Sequence, residues 1–177
     1  MQQKRMSDAI FSIAWGYILI HLHFRLGPVD LLPDWLGYIL FYFAINTIKE
    51  KEPSAKLLQP LTVILGIWDV ALIFIQEIQA FGIIITVLSL YFHFQFLTNI
   101  ASIAGKYMCL EKDKILQLRV ARTILVTVFA VPIPWNDMAI LTYVLIVANI
   151  VVAIWLCATL FSLRKSVQIR EDSMGME

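Results

Sequence analysis

The placement of cations constrains this chain more than any other feature. Thirteen of its 14 Lys and Arg gather in four clusters: Lys4 and Arg5; Lys49, Lys51 and Lys56; Lys106, Lys112, Lys114, Arg119 and Arg122; and Arg164, Lys165 and Arg170. Each cluster is separated from the next by two apolar stretches, and Arg25 alone stands between a pair. A polypeptide crossing a bilayer six times, with its cations held on the cytoplasmic side, has this pattern. The expected spans run about Ala9–Phe24, Leu31–Ile48, Leu57–Ile75, Phe81–Ala104, Val120–Val131 extended to Trp135, and Met138–Leu163. Composition agrees. The chain is 60% hydrophobic and 15% charged, with a mean hydropathy of +0.78. Soluble domains lie near half apolar and a quarter charged. That excludes a soluble enzyme or a disordered regulator. A net charge of +1 supplies no basic field for nucleic acid.

The reading is an all-α polytopic membrane protein in a single domain over residues 1–177. Its six transmembrane helices form three antiparallel hairpins, with both termini cytoplasmic. The first span is expected to be a retained helix, because no small-residue cleavage site follows His23. The fifth is short, so Arg119 and Arg122 are expected to snorkel to the headgroups. The stretch from Lys106 to Arg122 is expected to lie at the headgroup boundary or to extend the fifth helix downward. Cys109 and Cys157 both fall toward the reducing side, where free thiols are expected.

A few polar residues sit where lipid penalises them. Asp69 lies about mid-span, where a carboxylate costs about 2.5–3.5 kcal/mol and must face protein or water. Thr62, Gly66, Asp69 and Gln76 share one stripe at helical spacing. On the next span Gly82, Thr86, Ser89 and His93 form a second stripe. A tight outer turn makes these two helices neighbours. Asp69 and His93 are therefore a candidate proton or cation site; hydrogen-bonded packing residues are the plainer alternative. Gln95, Asn99 and Ser102, and likewise Asn149 with Thr142, read as interhelical hydrogen bonding. His21 and His23 point some 200° apart on a helix and make a poor metal pair.

The segment Asp30-Leu31-Leu32-Pro33-Asp34-Trp35-Leu36-Gly37-Tyr38 is the most patterned. Pro33 suits a helix's first turn and Asp34 its positive end; Trp35 and Tyr38 suit an interfacial belt. Asn136 reads as an N-cap after Pro132 and Pro134. Capping explains all of this, and the functional alternative is an outer acidic mouth of Asp30 and Asp34. Through Asp30, Leu32, Pro33, Asp34, Gly37 and Tyr38, the first 50 residues resemble small bacterial multi-pass membrane proteins bearing a D-(I/L)-L-P-D-x-x-G-Y signature between their first two helices. That resemblance implies membrane topology and no catalysis. In span number the chain also looks like the substrate-binding subunits of energy-coupling-factor vitamin transporters, although Ala9 and Ala14 are five apart where those carry AxxxA.

HExxH, GxSxG, CxxC, Walker A and GxGxxG motifs are all missing. No catalytic, cofactor or metal residues are assigned. Two readings lead, ahead of a third, an intramembrane hydrolase or transferase that would need His21 or His93 close to a nucleophile. One is a non-enzymatic small-solute or ion-handling protein, or a transporter's membrane subunit, in a bacterial cytoplasmic membrane. The other is an accessory protein that binds a partner within the bilayer. Expected partners are membrane lipids and another membrane protein or a second copy, not nucleic acid.

Overall fold

The structure, a computed structural model, describes residues 5–21, 25–26, 29–30, 34–72, 74, 79–131 and 138–174. Six helices account for nearly all of it: α1 (Met6–His21), α2 (Asp34–Lys51), α3 (Gln59–Ala71), α4 (Gln79–Lys106), α5 (Glu111–Ala130) and α6 (Ala139–Met174). Between α1 and α2 a two-residue ribbon pairs β1 (Arg25–Leu26) antiparallel with β2 (Val29–Asp30), Arg25 opposite Asp30. Two helices, Phe81–Lys106 within α4 and Ala139–Met174, are long and apolar enough to cross a membrane.

Local chemistry explains the breaks. Pro53 forces Glu52 into extended backbone (φ −132°, ψ 87°), which ends α2 and starts a 3-10 turn, Pro53–Leu58. Pro60 in the first turn of α3 needs no amide partner there. At the end of α4, the Cys109 N–H reaches the Ala104 carbonyl and the Met108 N–H the Gly105 carbonyl. That is a Schellman turn, with Met108 at the left-handed position (φ 51°) where glycine is usual.

α1 is the centre of the packing, held between α2 and α6; α3 leans on α2, and α5 bridges α4 and α6. Gly16 and Gly37 let α1 and α2 approach closely. A Cβ on Gly37 would lie 2.7 Å from Ile20 Cγ1 and 2.8 Å from the Gly16 carbonyl oxygen. One on Gly16 would lie 2.5 Å from the Phe41 ring. Tyr17, Phe41, Phe92, Phe96, Ile13 and Ile45 fill the core this creates.

Three expectations need correction. The third apolar stretch does not form one helix from Leu57 to Ile75: its α-helix is Gln59–Ala71, so Asp69 lies in the last turn and not at mid-span. The α3–α4 hairpin barely packs, because α3 has its face on α2. Arg122 does not snorkel. It is only 8% exposed, turned into the bundle. The fifth helix, in contrast, does begin well before Val120, and α6 continues past Leu163 to Met174.

The two ends of the bundle differ. At the cation-rich end, Glu171 of α6 accepts the backbone N–H of Met6 (2.8 Å) and Ser7 (3.3 Å), the Ser7 hydroxyl (2.8 Å) and the Tyr107 hydroxyl (3.3 Å). A carboxylate at a helix N-terminus satisfies orphan amides and opposes the helix dipole. Glu52 accepts from Ser102 (2.6 Å), Ser54 (3.1 Å) and Lys106 (2.9 Å), and Lys106 also reaches the Lys51 carbonyl. Ser54 donates to Asn99, so the Asn99 and Ser102 stripe does bond across helices. At the far end, α4 exposes Phe81, Ile83, Ile84 and Val87, and α6 exposes Ile140, Tyr143, Val144 and Val147.

Candidate functional site

Tyr38 opens the site. It sits in the second turn of α2 and is 7% exposed, because Gly37 beside it brings α1 against the helix. Its ring lies 6.2 Å from that of His93 and 5.9 Å from Phe92. Its hydroxyl hydrogen-bonds with Ser89 of α4, and the charges acting on it are Asp69 of α3, Arg122 of α5 and Asp34 of α2. Gly66, one turn before Asp69, faces Tyr38, since a Cβ there would meet the tyrosine Cβ at 3.5 Å. One phenol thus collects polar groups from four helices.

His93 lies in the same cluster, 2% exposed. Its Nδ1 shares a 3.3 Å hydrogen bond with the Tyr17 hydroxyl, and its ring packs against Tyr17, Phe41 and Phe92. The charged or titratable neighbours acting on it are Arg122 and His21. Tyr38 therefore packs near His93 and lies in the field of Asp69.

The geometry around Arg122 fixes a tautomer. His21 Nδ1 lies 2.7 Å from the Tyr17 carbonyl, one turn back on α1. A carbonyl only accepts, so Nδ1 carries the proton and Nε2 carries a lone pair. Arg122 Nε–H donates to that lone pair at 3.5 Å, and its guanidinium lies 5.8 Å from the Tyr17 ring centre. His21 is therefore neutral there. Among the described residues no carboxylate stands within ion-pair distance of Arg122. A cation so placed is costly, and the described groups that offset its desolvation are one imidazole and two phenols.

Depth places this cluster within the bundle. At about 1.5 Å per residue, Tyr38 lies about 6 Å from the start of α2, and His93 about 21 Å from the start of α4. The first half of α4 thus runs on well beyond the start of α2.

Of the other expected site residues, Thr62 is buried and donates to the Gln59 carbonyl (2.7 Å), Ser89 joins Tyr38, and Asp34 begins α2. Asp30 is described only as backbone in β2. Gln76, Pro33 and Asn136 lie outside the described residues. An open groove of about 480 Å³ separates α2 from α3, walled by Trp35, Tyr38, Tyr42, Thr62 and Ile67 among others; Asp69 is not in its wall. Sequence reasoning missed Arg122, Tyr17 and Tyr38. The signal was present, because Tyr17 and His21 are one turn apart and Arg122 lies three residues inside Arg119.

Outside the buried cluster, the Glu52 carboxyl is also perturbed. Hydrogen bonds from Ser102, Lys106 and Ser54 hold its carboxyl below the ordinary value of 4.5, against a smaller upward push from burial. No known family model matches the chain, and no curated protein or solved structure matches it either.

Proposed function

We propose that the chain is a six-span protein of a bacterial cytoplasmic membrane, with both termini inside, that handles an ion or small solute at the Tyr38 cluster. The carrying observation is convergence. Asp69 and Arg122, from α3 and α5, act electrostatically on one buried tyrosine, Tyr38, whose ring packs near that of His93. Packing alone does not call for a buried arginine with no described carboxylate beside it, and a stable bundle is easier to build without one. Cation sorting supports the topology, since it places all four cation clusters on one side of the bilayer. The cluster then sits nearer the outer ends of α1, α2 and α3.

The test is flux in proteoliposomes carrying an internal pH dye under an imposed membrane potential. Wild-type protein is expected to pass protons or a proton-coupled ion, and Asp69→Asn, His93→Ala and Tyr38→Phe to lower the rate at least several-fold. Wild-type flux unchanged in all three variants would refute the site.

A second reading has its own observation. The far halves of α4 and α6 expose apolar side chains on several faces, including Tyr143 and Trp155, as a helix seated against another membrane protein would. Wild-type vesicles no leakier than protein-free ones would favour this accessory role.

A further inference from the structure

The groove between α2 and α3 changes character along its length, and both helices change at the same height. On α2, Trp35, Tyr38 and Tyr42 are followed at helical spacing by Asn46 and Lys49. On α3, reading the other way, Val70, Ile67 and Val63 are followed by Gln59. The apolar part holds about 480 Å³, with an aromatic wall on α2 and an aliphatic one on α3. Gly66, without a side chain, lets α3 lie against Tyr38 and so forms the floor.

Polar groups close the cation-rich end, one turn beyond Tyr42 and Thr62. Asn46 Oδ1 accepts Lys49 Nζ (2.8 Å) from its own helix and Gln59 Nε2 (2.8 Å) from α3. An ammonium carries three donors and a side-chain amide two, so both nitrogens keep N–H groups for a further acceptor. Lys56 is exposed three residues before Gln59 in the 3-10 turn, where side chains three apart eclipse. The neighbouring cations are engaged elsewhere: Lys51 lies over the Tyr107 ring at 4.5 Å and Lys106 pairs with Glu52. Glu50 is exposed on the flank of the same α2 face, which leaves two cations, Lys49 and Lys56, against one carboxylate.

Size and charge together select an occupant. From Gln59 to Val70 the groove runs about 17 Å at 1.5 Å per residue, close to half of a hydrocarbon core about 30 Å thick. A helix about 10 Å wide laid from Thr62 to Val70 would fill roughly 900 Å³, nearly twice the space present. A single hydrocarbon chain is slender enough, and a basic lip at the cytoplasmic end of an interhelical groove suits an anionic headgroup. We propose that the groove holds one anionic phospholipid of the cytoplasmic leaflet. Its phosphate meets Lys49, Lys56 and Gln59, and an acyl chain runs between Tyr42 and Ile67 toward Trp35. This rests on the six-span topology proposed above and is independent of ion flux at the Tyr38 cluster.

The test uses full-length protein in mild detergent and native mass spectrometry. Wild type is expected to hold one dioleoylphosphatidylglycerol at least tenfold more tightly than dioleoylphosphatidylcholine. Lys49→Gln combined with Lys56→Gln, both outside the core, should bring the two lipids level. Position is read in phosphatidylcholine nanodiscs holding a small fraction of phosphatidylglycerol brominated toward its chain ends. Trp35 emission, taken as the difference between wild type and Trp35→Phe, should be quenched several-fold beyond the brominated mole fraction, and the double variant should lose that excess. Equal binding of the two lipids, undiminished selectivity in the double variant, or quenching at the bulk fraction overturns the proposal. Displacement of the lipid by millimolar inorganic phosphate also overturns it, since the site would then read phosphate alone. Labelling of Lys56→Cys on intact cells by an impermeant maleimide would refute the shared topology. Lost lipid selectivity with Lys56→Cys unlabelled refutes the lipid site and leaves the Tyr38 reading standing.

Discussion

The two ends of this bundle use polar residues in opposite ways. At the cation-rich end Glu171, Glu52 and Asp172 each meet donors. Glu171 takes four donors, Glu52 takes Ser102, Ser54 and Lys106, and Arg5 pairs with Asp172 at 2.9 Å. Deeper in the bundle, around Tyr38, the charges share a tyrosine and Arg122 rests on a neutral histidine. The first arrangement closes helix ends and fixes register. The second holds a guanidinium in a low-dielectric setting against a neutral imidazole, which is how a site that must respond to an ion is built.

Several substitutions would break or sharpen that contrast. The largest effect is expected where the two regions meet, at the α1–α2 crossing. Gly37→Leu drives a side chain into Ile20 and the Gly16 backbone and should lower stability by about 3 kcal/mol, read by thermal unfolding in detergent. Next comes the latch at the cation-rich end. Glu171→Ala orphans the first amides of α1 and should cost about 1–2 kcal/mol, with faster hydrogen exchange confined to the start of α1 and the end of α6.

Acid should act on the same end. Because the Glu52 carboxyl is depressed in the folded state, the stability it contributes is fully present above the ordinary value of 4.5 and is lost as pH falls through the lower folded value. Hydrogen exchange near Glu52, Ser102 and Lys106 should therefore accelerate only below pH 4.5, and Glu52→Gln should remove that step. The smallest effect is a gain. Met108→Gly relieves a left-handed side chain and should stabilise the α4–α5 turn by about 1 kcal/mol.

Much of the architecture was legible from spacing alone. Apolar run length and cation sorting give six helices. The start of α5 was legible only as an alternative, because Leu110, Ile115 and Leu118 among charges fit a surface helix as well as an extended one. Helix partners were not legible: a short loop implied an α3–α4 hairpin, whereas Gly66 and Thr62 give α3 a face that fits α2. The candidate site was half legible. Asp69 and His93 are visible as residues lipid penalises. Tyr38 and Arg122 looked like interface residues because hydropathy treats tyrosine and helix-end arginine as headgroup ligands. What turned them inward is a packing fact, the Gly16–Gly37 contact, that no single-residue property records.

The central claim is that Arg122 is kept for activity and not for the fold. Thermal unfolding of Arg122→Met, alongside its proteoliposome flux, tests this most directly. An apolar side chain of similar length removes the desolvation cost, so the account predicts a melting temperature equal to or above wild type together with lost flux. A fall of several degrees would contradict it, and would make Arg122 a structural keystone of the bundle.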